Sequence, residues 1–525
     1  MKYPIGIQTF EQIINGGFVY VDKTELVYRL VNNGKVYFLG RPRRFGKSLL
    51  LSTLEAYFQG RKELFKGLAI DALEQEWKQY PVFHLDFNTG NYLNDGTLEA
   101  GIKDKLSDWE KLYGLVNDNP DLAQRFQKIL HAAHEQTGLG AVVLIDEYDK
   151  PILDMDFHVE HLGKTMTLEE KHRNILKSFY ATFKGADADL RFVFLTGVTK
   201  FSQISMFSGF NQPDDISLDD EYEAICGITK EELVKYFSEP IREMATKLNC
   251  SYEEMIERLQ LKYDGYHFSA RMTEVFNPFS LLNAFKKLRL NSYWFKSGTP
   301  TYLIRLLSHS DENLDELVGR YYSVSQFDDY KADVEKPLPM IYQSGYLTIK
   351  GYDEDTDSFL LDIPNNEVRE GLLTLIANDY LKTKEDSTSW LIDSVHKLKR
   401  GELEAFMEGM TAFLASIPYS VRRKKTEREY ERHFQYTFYL LLRMLSCFTV
   451  FHEKETSKGR ADCVIETPKD VYIFEFKLDG SADAALQQIR DKGYAKEYEA
   501  DSRNVHLIGA NFSSGEGTVN EWKEG

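Results

Sequence analysis

The chain has 525 residues, 42% hydrophobic and 28% charged, with 64 basic against 82 acidic side chains and a net charge of −18. That length exceeds a single hydrophobic core and predicts about three domains, and the composition excludes a disordered chain. The acidic balance excludes a protein that coats nucleic acid through its overall field, so any nucleic-acid contact must be local.

No apolar run of about 18 residues and no basic-then-apolar leader occurs, so neither a membrane span nor a secretory signal is expected, and the expected location is cytoplasmic. The four cysteines, Cys226, Cys250, Cys447 and Cys463, lack C-x-x-C spacing, which predicts reduced thiols and no zinc site. Phe18-Val-Tyr20-Val-Asp22-Lys23-Thr24 predicts a short strand and turn before a helix over 25–32. Next comes Tyr37-Phe-Leu-Gly40-Arg-Pro-Arg-Arg-Phe-Gly46-Lys47-Ser48-Leu49-Leu50, an apolar run, a glycine-bounded loop and a helical pattern. In such a unit the backbone N–H groups cradle phosphates, a lysine reaches the outer ones and a serine hydroxyl ligates Mg²⁺ at a helix N-terminus. Lys47 and Ser48 fit those roles. Gly40, Arg43, Arg44, Gly46 and Leu49 complete the candidate cradle. The usual G-x-x-x-x-G-K-S spacing would put a glycine at position 41, where this chain has Arg41, and Pro42 removes one N–H from the loop. Taken alone, Gly-Lys-Ser also suits an ordinary helix start.

Strand patterns at 80–87, 141–146 and 191–196 alternate with helical stretches, the rhythm of a parallel sheet covered on both faces. Ala141-Val-Val-Leu-Ile145-Asp146-Glu147 reads as a Walker B strand, in which Asp146 holds the Mg²⁺ and Glu147 polarises the attacking water. Asp-Glu after a strand is also a common turn; it is the order of the two motifs that points to nucleotide. Leu190 to Lys200 predicts another buried strand, and Thr196 and Thr199 at its end are candidates to sense a γ-phosphate or ordinary turn residues.

After a charged link over 214–223, Thr229 to Leu248 reads as a capped helix. The segment to about 370 is helical and ends in a predicted hairpin, 345–350 and 358–362, with an acidic tip at 352–357. A helix before a two-stranded wing suggests a winged-helix lid, and the acidic tip favours packing or a protein partner over nucleic acid. Lys262-Tyr-Asp-Gly-Tyr266-His267-Phe268 and Phe276-Asn-Pro-Phe279 read as core aromatic turns. Residues 371–420 read as linking helices without chemistry.

Near the C-terminus, Gly459-Arg460-Ala461-Asp462-Cys-Val-Ile-Glu466 and Val471-Tyr-Ile-Phe-Glu475-Phe476-Lys477 predict two adjacent strands. Asp462 and Glu475 would converge on one divalent cation, with the Phe476 carbonyl as a further ligand. Lys477, two residues after Glu475, points to the same face and can orient or deprotonate a water. The bland alternative is a hairpin with ordinary salt bridges. A helix over 427–445, a strand over 448–453, a helix over 482–498 and a strand over 505–509 frame these strands in αβββαβ order. Glu431 in the first helix is a further candidate metal ligand, and Gln488 and Tyr494 are candidate contacts to the site or substrate. Arg422-Arg-Lys-Lys425, with Arg428 and Arg432, is a weak phosphate-tracking patch.

Together, Tyr20-Val-Asp-Lys-Thr24, Arg41-Pro-Arg-Arg-Phe-Gly-Lys-Ser48, Asp146-Glu-Tyr-Asp-Lys-Pro151, Thr196-Gly-Val-Thr-Lys-Phe-Ser202, Gly459-Arg-Ala-Asp462 and Phe474-Glu-Phe-Lys477 resemble a bacterial family that pairs an AAA-ATPase-like domain with a C-terminal PD-(D/E)XK nuclease-superfamily domain. Arg41 belongs to that family's own pattern. The resemblance implies an α/β multidomain fold: a P-loop domain over 1–215, a helical lid with a winged-helix-like part over 216–370, a helical linker over 371–425 and a nuclease-like domain over 426–525. It implies ATP and Mg²⁺ sites, with Mn²⁺ an alternative at the nuclease site. The expected function is ATP hydrolysis coupled to phosphodiester cleavage, in DNA rather than RNA, with ATP repositioning the lid. The alternative is an ATP-dependent switch or scaffold that presents its middle domain to a protein partner and keeps the nuclease fold as a binding module. A small-substrate kinase lacks a visible acceptor site. An arginine acting in trans would imply an oligomer, but no residue is assignable to it.

Overall fold

The computed structural model describes residues 1–116, 119–152, 158–161, 164–200, 213–294, 317–328, 337–371, 393, 396–398, 400–416, 449–456, 459–498, 501–513, 515–516 and 518–525. Contacts divide the chain into two units, Met1–Val368 and Arg369–Gly525.

In the first unit, five parallel strands form one sheet: β1 (Val36–Gly40), β2 (Val82–Asp86), β3 (Ala141–Asp146), β4 (Leu190–Gly197) and β5 (Asp214–Asp215), in the order β2-β3-β4-β1-β5. β3 is buried along its whole length, as a strand covered on both faces must be, and its sequence is correspondingly an unbroken apolar run. Parallel pairing brings the C-terminal ends of the strands to one edge, so Gly40, Asp86, Asp146 and Thr196 meet there. The helix α1 (Lys47–Phe58) starts directly from Gly46, whose φ of +98° is open to glycine and strained for other residues.

The segment over 18–22 is extended but pairs with no strand. Val19 and Val21 satisfy their alternation by packing on a helical cluster instead, and Asp22 caps the turn by accepting from the Thr24 N–H (2.9 Å) and hydroxyl (2.6 Å). That cluster is built by α2 (Lys230–Lys247), α3 (Tyr252–Tyr263) and α4 (Pro278–Lys287), whose Phe237, Leu259 and Phe285 are fully or almost fully buried. Thr229 and Glu232 close a reciprocal capping box on α2. Pro240 lacks the N–H that would continue the helix ladder, and the backbone breaks at Phe237 (φ −124°). The two strands expected after this helical region are joined by a third. β6 (Arg320–Ser323), β7 (Thr348–Asp353) and β8 (Ser358–Asp362) form an antiparallel sheet in the order β6-β8-β7.

The second unit is a five-stranded sheet with strands β9 (Thr449–Thr456), β10 (Gly459–Glu466), β11 (Asp470–Leu478), β12 (Asn504–Ser513) and β13 (Thr518–Glu524), adjacent in that order. The helix α5 (Ala482–Lys492) crosses between the parallel pair β11 and β12, and the other pairs are antiparallel. α5 stops six residues short of the predicted end because Gly493 takes a left-handed cap (φ 65°), and a 3₁₀ turn, Lys496–Tyr498, follows. The predicted helix over 427–445, with Glu431 and the basic patch, lies outside the described residues. Among the described residues no helix is long and apolar enough to cross a membrane.

Candidate functional site

At the first site, the end of β1 is fastened to the segment over 217–223. The Gly40 N–H donates to Ser217 Oγ (2.8 Å), and the Arg41 guanidinium donates to the Ser217 carbonyl (2.7 Å) while lying 4.0 Å over the Phe268 ring. Arg41 is 1% exposed, so it braces the loop from behind. Phe45 packs edge-on against Tyr266 and Phe268, the Trp294 indole N–H donates to the Arg43 carbonyl (3.0 Å), and Arg44, at φ 71°, sets its exposed guanidinium 4.8 Å over Phe279. The aromatic turns over 262–268 and 276–279 are therefore core, and the core they build supports the phosphate loop.

Lys47 is 4% exposed; its ammonium donates to the Arg41 (3.0 Å) and Pro42 (3.3 Å) carbonyls and lies 3.9 Å from Glu147. Asp146 bonds the Ser48 hydroxyl; burial raises its pKa above the ordinary carboxylate range, and the Ser48 bond and nearby Lys47 oppose that. β4 lies between β1 and β3, and so sets Thr196 opposite Leu39 at the end of β1 and next to the acid end of β3. The Thr196 hydroxyl is buried without a hydrogen-bond partner, an arrangement that fits an added phosphate oxygen. Thr199 is placed differently: its hydroxyl and N–H both donate to Asp149 Oδ2 (2.7 Å each), and Tyr148 donates to its carbonyl (2.8 Å). Leu49 sits half-buried in the first turn of α1. Sequence reasoning missed Asp86, in register with Asp146, and Asp149, which organises the turn after β4. Asp149 stands in the quoted Asp-Glu-Tyr-Asp string, so its signal was present; Asp86 ends a predicted strand with no motif around it.

At the second site, neighbouring strands β10 and β11 bring Asp462 beside Glu475, and the Phe476 N–H donates to Asp462 Oδ2 (2.8 Å). Lys477 lies 3.5 Å from Glu475, on the same face as the strand period requires. From α5, Gln488 accepts from the Lys477 ammonium (2.7 Å) and donates to Glu475, locking the two together. Tyr494 is 3% exposed and bonded to Gln488, so it backs the cluster. Burial lifts the Glu475 carboxyl to about 8; the Asp462 charge adds to this and Lys477 opposes it. Glu475 Oε2 is buried without a hydrogen-bond partner. Two converging carboxylates, one with an orphan oxygen and a proton held against its usual acidity, fit a divalent cation.

A family model described as "Predicted AAA-ATPase" matches residues 4–207, and one for the PD-(D/E)XK nuclease superfamily matches residues 429–522. A protein of Azotobacter chroococcum mcd 1, described as "Uncharacterized protein in vnfD 5'region", is 35% identical over 523 residues, covering 98% of this chain and 96% of that one. Domains of these two kinds generally use nucleotide and divalent metal ions, and nuclease domains of the second kind generally act on nucleic acids. With both domain models matched in order and a relative aligned almost end to end, the chain belongs to the family that joins an AAA-ATPase-like domain to a C-terminal PD-(D/E)XK nuclease-superfamily domain.

Proposed function

We propose that this protein hydrolyses ATP at its first site and cleaves phosphodiester bonds, in DNA, at its second. The observation that carries the reading is the Asp462, Glu475, Lys477 and Gln488 cluster, in which two carboxylates, a cation and an amide converge across two strands and a helix. In the nuclease step Asp462 and Glu475 hold a divalent ion, which polarises the scissile phosphate when bound. Lys477 orients the attacking water and Gln488 fixes the lysine. In the ATPase step Lys47 leaves the loop carbonyls for the outer phosphates, Ser48 and Asp146 hold the Mg²⁺, Glu147 orients water, and Thr196 meets the γ-phosphate. The helical region with the three-stranded sheet serves as the lid. The formal charge of −18 favours a second reading, a nucleotide-dependent scaffold whose nuclease fold only binds.

Two binding measurements test the site assignments. Mn²⁺ raises the melting temperature of the wild type, and Glu475→Ala loses that gain; an equal gain in both removes the metal site. Calorimetry with Mg-ATP gives heat for the wild type and none for Lys47→Ala; unchanged binding in the variant removes the phosphate-loop assignment.

A further inference from the structure

At the second site β12 carries none of the candidate ligands, yet it lies directly beside the strand that does. Its parallel pairing with β11 sets Gly509 opposite Glu475 and Asn511 opposite Lys477. Residues paired across parallel strands share a face of the sheet, and α5 lies on that face, where Gln488 meets Glu475 and Lys477. Gly509 is buried under the same helix. A methyl group built on its Cα would lie 2.3 Å from the Ala482 carbonyl oxygen and 2.8 Å from the Leu486 nitrogen, both backbone atoms of α5. Non-bonded heavy atoms settle about 3.5 Å apart, so any side chain at this position drives the start of α5 off the sheet by roughly 1 Å.

The entry to α5 is tied down from β12 and β13 as well. The Asp479 N–H donates to the Phe512 carbonyl (2.8 Å), the Gly480 N–H to Asn511 Oδ1 (2.7 Å) and the Ala482 N–H to Glu521 Oε2 (3.1 Å). Asn511 is 4% exposed, and its amide donates in turn to Asn520 Oδ1 (2.9 Å), which fixes the orientation in which it receives Gly480. A helix moves as one hydrogen-bonded rod, so where Ala482 and Leu486 rest decides where Gln488 ends. Gln488 then decides how Lys477 and Glu475 face each other.

We propose that Gly509 and Asn511 are positioning residues of the second site: they let α5 lie close on β12 and so hold Gln488 against Lys477 and Glu475. Neither touches the reacting atoms. The consequence for cleavage rests on the nuclease reading above, whereas the placement of Gln488 does not.

The test labels the glutamines of the full chain with nitrogen-15 and follows the Gln488 side-chain amide, identified by its loss in Gln488→Ala. In the wild type its proton signal is shifted downfield by the bond to the Glu475 carboxylate. Gly509→Ala returns that signal to the position of an exposed glutamine and lowers DNA cleavage about a hundredfold, the loss that a misplacement of about 1 Å brings, with KM for DNA unchanged. Added to Gln488→Ala, Gly509→Ala lowers cleavage no further, whereas a general weakening of the fold would repeat its loss in both backgrounds. Asn511→Ala frees the same end of α5 without adding an atom, moves the Gln488 signal in the same direction, and covers the case in which Gly509→Ala fails to fold. A Gln488 signal that stays in place in the folded variants, or cleavage losses that multiply, overturns the proposal. If the signal moves and the wild type cuts no DNA, the positioning stands and the nuclease reading falls.

Discussion

Arg41 occupies the position where a general phosphate loop has glycine, and its guanidinium is spent on the Gly40 (2.9 Å) and Ser217 (2.7 Å) carbonyls and the Phe268 face. Arg41→Gly, although it restores the general spacing, is expected to destabilise the chain by roughly 3 kcal/mol and to leave ATP affinity no better. Denaturant unfolding with calorimetry checks this, and tighter ATP binding would contradict it. Asp264 is 1% exposed, and burial, with Glu274 nearby, lifts its carboxyl to about 7 while the Gly265 N–H and Gln260 oppose. The folded state therefore holds a proton that the unfolded chain releases near pH 4, so this residue's share of stability is full below pH 4 and is lost as pH rises to about 7. Asp264→Asn should flatten the fall in melting temperature across that window; an unchanged pH profile would contradict it. That Lys47, Ser48, Asp146 and Glu147 come together was legible because a glycine-bounded loop before a helix and an acid-ended strand, in that order, restrict residue type and spacing together. The brace made by Arg41 was not, because its partners other than Gly40 lie at least 176 residues away in sequence.

Elements translate these side chains into coupling. The turn after β4 is held on one side by Asp149, and on the other Lys200 pairs with Asp215 and Asp328 while its N–H donates to Gln343 (3.0 Å). That turn follows directly on Thr196, so Thr196, Asp328 and Gln343 share one backbone support. Lys200→Ala leaves two carboxylates facing each other and is expected to cost about 3 kcal/mol and to lower ATP turnover more than ATP binding. Equal losses in turnover and binding would argue against coupling. Four of the five parallel strands could be read from sequence, β3 and β4 most directly because strands buried on both faces are continuous apolar runs, whereas β5 (Asp214–Asp215) lies in what reads as a charged link. β13 could not: it is an edge strand, Thr-Val-Asn-Glu-Trp-Lys-Glu, with little more than Thr518 and Val519 buried, and so carries almost no apolar signal. The third strand β6 was missed similarly, with its residues exposed or half-buried.

For the whole molecule, the fold class of both units was legible, since order along the chain is enough to join a phosphate loop, an acid strand and an Asp, Glu-x-Lys pair. Gln488 became specific only when α5 set it over β11. If the proposed cleavage of DNA holds, a chain with a net charge of −18 would have to draw its substrate in by local groups, so cleavage should fall steeply as salt rises. The most direct measurement is cleavage of labelled single- and double-stranded DNA with Mg²⁺ or Mn²⁺, with and without ATP, for the wild type and Lys477→Ala. Cutting by the wild type that Lys477→Ala abolishes, and that ATP changes, is the predicted result. No cutting under any condition, with ATP hydrolysis intact, would contradict the account and leave the scaffold reading.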